Sequence, residues 1–167
     1  VCSSGTSAIF MALKSIKLES GDNIIIPAIN FIASVNMSEV LGANIYLADV
    51  DNETGQMTPK TLKDCIKHNK LKKIKAVVTM YLGGSPNNVL EFYKLKKLFN
   101  FFLIEDSCHA LGASYIYNKK TLKVGCSKHC DLSTFSLHPV KSITSGEGGI
   151  VTTNNNLLAS RIKLLRS

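Results

Sequence analysis

The chain is built around short apolar runs that are continuous rather than alternating, each followed by a segment with helical spacing. A strand half-exposed to water alternates polar and apolar residues, whereas a strand buried on both faces is apolar at nearly every position. Runs of the second kind occur at residues 23–26, 44–47, 74–80, 101–104, 132–136 and 150–153. Helical spacing follows or precedes them at residues 8–16, 32–41, 58–68, 89–99 and 155–165. The clearest start signal is Thr58-Pro59, an N-cap hydroxyl followed by proline at the first helical position. In the helix at 89–99, Leu90, Tyr93, Leu95 and Leu98 are available for packing, and residues 3–7 read as a turn before the first helix. Strand, helix, strand, helix in this form specifies an α/β fold with a mostly parallel sheet and helices on both faces.

The chain has 167 residues, 45% of them hydrophobic, which is enough for one globular domain; no repeat or linker interrupts it. No apolar run approaches the roughly 18 residues of a membrane span, so a membrane role is not expected. Twenty basic residues against twelve acidic give a charge of +8, but only Arg161 and Arg166 are arginine. The densest basic run, residues 67–75, falls at a helix end where lysines suit the dipole, so no nucleic-acid partner is expected. Attraction of anionic small molecules stays open. Five irregularly spaced cysteines make no disulfide framework and point to a reducing, cytoplasmic setting. Cys126, His129 and Cys130 lack a second ligand pair at zinc spacing, so no metal is expected.

Ligands of parallel sheets gather at the carboxyl ends of the strands. Four segments sit there. Glu105-Asp106-Ser107-Cys108-His109 follows one apolar run; Asp106 or Ser107 could serve as a helix cap, or the acid could meet a cation. Ser136-Leu137-His138-Pro139-Val140-Lys141 follows another and leads into Gly146-Glu147-Gly148-Gly149. A partly desolvated lysine in such a loop can attack a carbonyl. Ser3-Ser4-Gly5-Thr6-Ser7 offers hydroxyls and helix N-terminal amides to a phosphate, or simply caps the helix. Phe31, past the first strand, is a core residue or a cover for a flat heterocycle. Adjacent Cys108 and His109 rarely aim at each other productively, so a thiol enzyme is disfavoured. Phosphate cradle, aromatic cover, strand-end carboxylate and loop lysine together match the needs of pyridoxal phosphate.

The same segments, in the same order, resemble the DegT/DnrJ/EryC1/StrS family of pyridoxal-phosphate-dependent sugar aminotransferases, which have the type I aspartate aminotransferase fold. The resemblance covers essentially the whole chain. It implies that Lys141 is the Schiff-base and proton-shuttling lysine, that Asp106 holds the pyridine nitrogen protonated and that Phe31 stacks on the ring. It implies further that His109 lies near the ring face or 3-hydroxyl and that Gly5, Thr6 and Ser136 hold the phosphate. Glu147 and His138 fall to the sugar side. The implied partners are a nucleotide-sugar substrate and an amino-acid donor, glutamate by analogy, with a homodimer in the full-length protein. The His-Pro-Val-Lys form around Lys141 resembles the branch that aminates UDP-4-keto-6-deoxy sugars in the pseudaminic acid pathway, for surface polysaccharide or flagellin glycosylation. Leu137, Ser145 and Cys130 depart from that branch's pattern, and GDP- or dTDP-sugar branches are the alternatives. Dehydratase relatives carry histidine in place of the lysine, which Lys141 argues against. A non-catalytic, cofactor-binding regulator on the same scaffold is the other reading. Against the family, residues 1–167 read as a cofactor-binding large domain without an N-terminal lead-in or C-terminal small domain, a fragment expected to be inactive alone.

Overall fold

The computed structural model describes residues 1–166. The chain opens with α1 (Gly5–Ser15), β1 (Asn23–Pro27), α2 (Ala33–Val40), β2 (Asn44–Ala48), α3 (Pro59–His68) and β3 (Ala76–Met80). It continues with α4 (Val89–Phe99), β4 (Phe102–Asp106), β5 (Ser114–Tyr117), β6 (Lys120–Lys123), β7 (Leu132–Ser136), β8 (Gly149–Thr152) and α5 (Asn156–Arg166). Six strands form one sheet in the order β2-β1-β3-β4-β7-β8. All neighbours run parallel except the edge strand β8, which is antiparallel to β7.

Burial on both faces explains the continuous apolar runs. Successive side chains of a strand point to opposite sides, so each run feeds two cores. Ile24, Ile26, Val78 and Ile104 pack with Ile9 and Leu13 of α1, Ala33 of α2 and Leu158 of α5. Ile25, Val77 and Leu103 pack on the other side with Leu62 of α3 and with Phe92 and Leu95 of α4. Each such isoleucine or leucine, fully buried, contributes about 1.5–3 kcal/mol. α3 begins as its residues dictate: Thr58 and Thr61 form a reciprocal capping box around Pro59.

Four details differ from the reading of the sequence. α1 begins at Gly5, so the expected turn over residues 3–7 is largely the first turn of the helix. β4 extends through Asp106 and no helix follows it, which removes the helix-cap alternative for Asp106 and Ser107. α4 buries Val89, Phe92 and Leu95, while Leu98 is 72% exposed. A three-residue step falls behind the helix by about 60° each time, so by Leu98 the stripe has rotated to the far side. Finally, β5 and β6 form a separate antiparallel hairpin that has no apolar run to announce it. Its turn residues Asn118 and Lys119 have φ of 49° and 61°, the left-handed pair that a two-residue hairpin turn requires.

Candidate cofactor site

The loops at the carboxyl ends of the parallel strands enclose a cavity of about 320 Å³. Into it come Gly5 and Thr6 from the start of α1, Phe31 from the loop after β1, and Asp106 at the end of β4. His109 follows β4, Ser136 ends β7, and His138, Lys141 and Glu147 line the cavity from the loop between β7 and β8. Every site residue inferred from the sequence therefore borders one space. Ser4, Cys108 and Val140, from the same strand-end segments, border it too, as do Ile9, Ala33 and Met80, which were not singled out. Met80 was within reach of the strand-end rule, since it ends β3 in register with Asp106.

The α1 end of the cavity is shaped by close approaches that only glycine allows. Ser4 caps the helix, its Oγ accepting the Ser7 N–H at 3.1 Å, and leaves the amides of Gly5 and Thr6 without helical partners. A Cβ on Gly5 would lie 2.8 Å from Ser136 Cβ, so the helix start rests directly on the end of β7. Gly149 exchanges both backbone hydrogen bonds with Cys2, at 2.8 and 2.9 Å, and a Cβ there would overlap the Ser4 carbonyl. The Gly-Glu-Gly-Gly turn thus carries a structural duty beside any role of Glu147: its last glycine pins the cap of α1.

At the opposite chemical pole, Asp106 is 2% exposed and accepts the Cys108 N–H through Oδ1 at 3.1 Å. Among the described residues no cationic side chain lies at ion-pair distance from it. A buried carboxylate of this kind is stabilised by a ligand that brings a cationic N–H. Lys141 is half-buried, in a turn where its N–H donates to the His138 carbonyl at 2.9 Å. His138 Nδ1 accepts the Val140 N–H at 3.3 Å, and its Nε2 lies 3.7 Å from Glu147 Oε1. Desolvation, and then the charge of Lys141, lower the pKa of His109 against the opposing pull of Asp106. Its imidazole is therefore a neutral donor or acceptor near pH 7. Burial raises the Cys108 thiol well above its ordinary pKa, and Asp106 adds to the effect. A nucleophilic cysteine needs the reverse shift, which weighs against the thiol-enzyme reading.

These residues fit pyridoxal phosphate on two independent observations. The contact at Gly5 leaves the free amides of α1 beside the Ser136 hydroxyl, a set of donors suited to a phosphate. Asp106, buried beside the same cavity, suits the protonated ring nitrogen.

The Cys126–Cys130 segment is organised quite differently. His129 is 3% exposed, edge-on to Tyr93, Tyr115 and Tyr117 with ring centroids 5.0, 5.6 and 4.6 Å away. Its Nδ1 shares a 2.8 Å hydrogen bond with the Tyr115 hydroxyl. Among the described residues no group of three or more His, Cys, Asp or Glu side chains is gathered to hold a metal, and the five cysteines are free. Among the described residues no helix is long and apolar enough to cross a membrane.

Known proteins resemble this chain along nearly all of its length. Residues 1–167 match the DegT/DnrJ/EryC1/StrS aminotransferase family. GDP-perosamine synthase of Escherichia coli O157:H7 is 38% identical over 159 residues, 95% of this chain and 41% of that protein. Helicobacter pylori PseC, an aminotransferase involved in the biosynthesis of pseudoaminic acid, superposes with a TM-score of 0.85 at 33% identity, over 99% of this chain and 42% of its own. Spr1654 of Streptococcus pneumoniae, solved in PLP and PMP forms, superposes in its PLP form with a TM-score of 0.82 at 25% identity, covering 97% and 44%. The chain thus spans about two fifths of the length of the relatives it matches. The fold is that of the pyridoxal-phosphate aminotransferases, and the chain belongs to the DegT/DnrJ/EryC1/StrS aminotransferase family.

Proposed function

We propose that residues 1–167 are the cofactor-binding large domain of an enzyme that moves an amino group from an amino acid, glutamate in the first instance, to a 4-keto-6-deoxy sugar nucleotide. The observation that carries this reading is the convergence of Lys141, Asp106 and the free amides of α1 on one cavity. Pyridoxal phosphate supplies a carbonyl and an electron-withdrawing ring; the protein supplies position and protons. Gly5, Thr6 and Ser136 bind the phosphate, and Asp106 keeps the ring nitrogen protonated. Phe31 covers one face of the ring, and His109 offers a neutral imidazole near it. Lys141 holds and moves a proton at Nζ. Glu147 and His138, at the outer rim, meet the sugar side.

Exposed apolar side chains support a homodimer. Phe31, Ile32, Val140 and Ile143 are 63%, 56%, 76% and 60% exposed on the loops around the cavity, a patch suited to a second copy. The sugar is a UDP-linked one in this reading, by the His-Pro-Val-Lys form and the likeness to PseC; GDP-perosamine synthase as a relative keeps a GDP sugar as the alternative.

The test uses the full chain. Borohydride reduction of the loaded protein should fix the cofactor on the peptide containing Lys141, and Lys141→Ala should abolish both the adduct and turnover. Adding glutamate should shift the cofactor spectrum. A cofactor fixed elsewhere defeats the assignment of Lys141, and a spectrum indifferent to amino donors favours a non-catalytic regulator. Turnover with UDP- against GDP-4-keto-6-deoxy sugars selects the branch.

A further inference from the structure

Behind Asp106, on the opposite face of the sheet, lies a buried polar cluster that none of the roles above uses. Neighbouring strand residues face opposite ways, so while Asp106 borders the cavity, Glu105 is directed away from it. Glu105 is 4% exposed, and both of its carboxylate oxygens are taken. The Tyr81 hydroxyl donates to Oε1 at 2.6 Å and the Ser133 hydroxyl to Oε2 at 2.6 Å. Tyr81 follows directly on β3 and Ser133 belongs to β7, the two neighbours of β4 in the sheet. One side chain therefore bridges three strands, at the carboxyl ends of β3 and β4 and near the start of β7.

The backbone repeats the same connection. The Tyr81 N–H donates to the Asp106 carbonyl at 3.2 Å, the Ser107 N–H to the Thr134 carbonyl at 2.9 Å, and the Thr134 hydroxyl to the Glu105 carbonyl at 3.3 Å. Tyr81 thus grips two successive residues, the side chain of Glu105 and the main chain of Asp106. Burial and the nearby Glu105 charge hold the Tyr81 pKa well above its ordinary value, so its hydroxyl stays a donor. A strand inside a sheet is already paired along its length, and an apolar pair here would complete the core. A buried carboxylate with two hydroxyl donors adds what apolar packing does not, a directional constraint on position along the strand.

We propose that Glu105, gripped by Tyr81 and Ser133, is the positioning residue that aims Asp106 at the ring nitrogen of the cofactor. The proposal rests on the cofactor reading above. Asp106 itself touches the ligand; Glu105 acts through it, from the far side of the same strand.

The Cys108 amide reports on this directly, because it bonds to Asp106 Oδ1 at 3.1 Å. In the full chain stripped of cofactor, Tyr81→Phe and Glu105→Gln should each speed hydrogen exchange at Cys108 about tenfold, the effect of one net hydrogen bond. The amides of Ile25 and Val77, deep in the sheet, should keep their rates. Equilibrium titration with pyridoxal phosphate should show the dissociation constant rising by about the same factor. Unchanged exchange at Cys108 overturns the proposal. So does acceleration shared equally by Ile25 and Val77, which marks a merely structural role. Should Glu105→Gln fail to fold, Tyr81→Phe decides alone. Asp106→Asn separates the two levels: if it leaves pyridoxal-phosphate binding unaltered, the cofactor reading falls, whereas a large loss of binding with an inert Glu105 defeats only the positioning role.

Discussion

His109 and His129 occupy the two regions of the molecule most worth comparing. Each keeps company with cysteine, lysine and aromatic residues, and burial lowers the pKa of both. His129 is enclosed by three tyrosines and hydrogen-bonded to one of them, and its further perturbers are Lys128 and Lys97, at the edge of the cage. His109 lines a cavity and feels the opposing charges of a lysine and an aspartate. The first arrangement is closed, with its ring faces and one nitrogen satisfied by the protein. The second leaves chemistry unspent. What separates them is topology: His109 follows a parallel strand at its carboxyl end, whereas His129 lies under a hairpin that supplies its own lid.

That contrast can be broken in several ways. The largest effect on stability should come from His129→Ala, which removes three ring contacts and a buried hydrogen bond, a loss of about 3 kcal/mol in denaturant unfolding. Affinity of the folded fraction for pyridoxal phosphate should not change; a tenfold loss would mean that the two regions are one. Gly5→Ala comes next. Its Cβ meets the end of β7, at a cost of about 1–3 kcal/mol, and titration should show weaker binding of pyridoxal phosphate as the cradle is pushed open.

Acid should then distinguish the buried ring. With the folded pKa of His129 below that of the unfolded chain, about 6.5, the unfolded state binds more protons in the interval between them. The stability from neutral, buried His129 is therefore full above that pH and is lost as the pH falls through it. His129→Phe should flatten the decline in urea midpoint between about pH 7.5 and pH 5.5, leaving the share owed to His109. The smallest effect belongs to His109→Asn. This exposed ring should be replaced within about 0.5 kcal/mol of stability, yet with an altered absorbance spectrum of the bound cofactor.

The buried parallel strands were legible because burial on both faces leaves an unbroken apolar run, as at Ile24, Ile25 and Ile26. The candidate site was legible for a related reason: Asp106 closely follows one such run and Ser136 ends another, and parallel sheets bring those ends together. The hairpin was not. Ser114–Tyr117 and Lys120–Lys123 carry lysines and tyrosines, and their turn uses Asn118-Lys119 in place of the Asn-Gly that signals such a turn. The grip on Glu105 was equally hidden, because Tyr81 and Ser133 become its neighbours only when β3, β4 and β7 align. Nor did the spacing of Leu90, Tyr93, Leu95 and Leu98 reveal which side of α4 meets the sheet, a choice made by Phe92.

The backbone exchange between Cys2 and Gly149 has a consequence for the order of events during synthesis. The first turn of α1 is translated well before Gly149, the partner that seats its cap, and β7 lies almost as far along the chain. A ribosome-bound chain shorter than this holds its amides of Gly5 and Thr6 with nothing to set their direction. Closing so wide a loop is entropically slow to repay, and contacts of this range form late. Capture of an anionic ligand should accordingly begin abruptly near that length, making ligand-induced resistance to proteolysis in stalled nascent chains a clock for completion of the sheet.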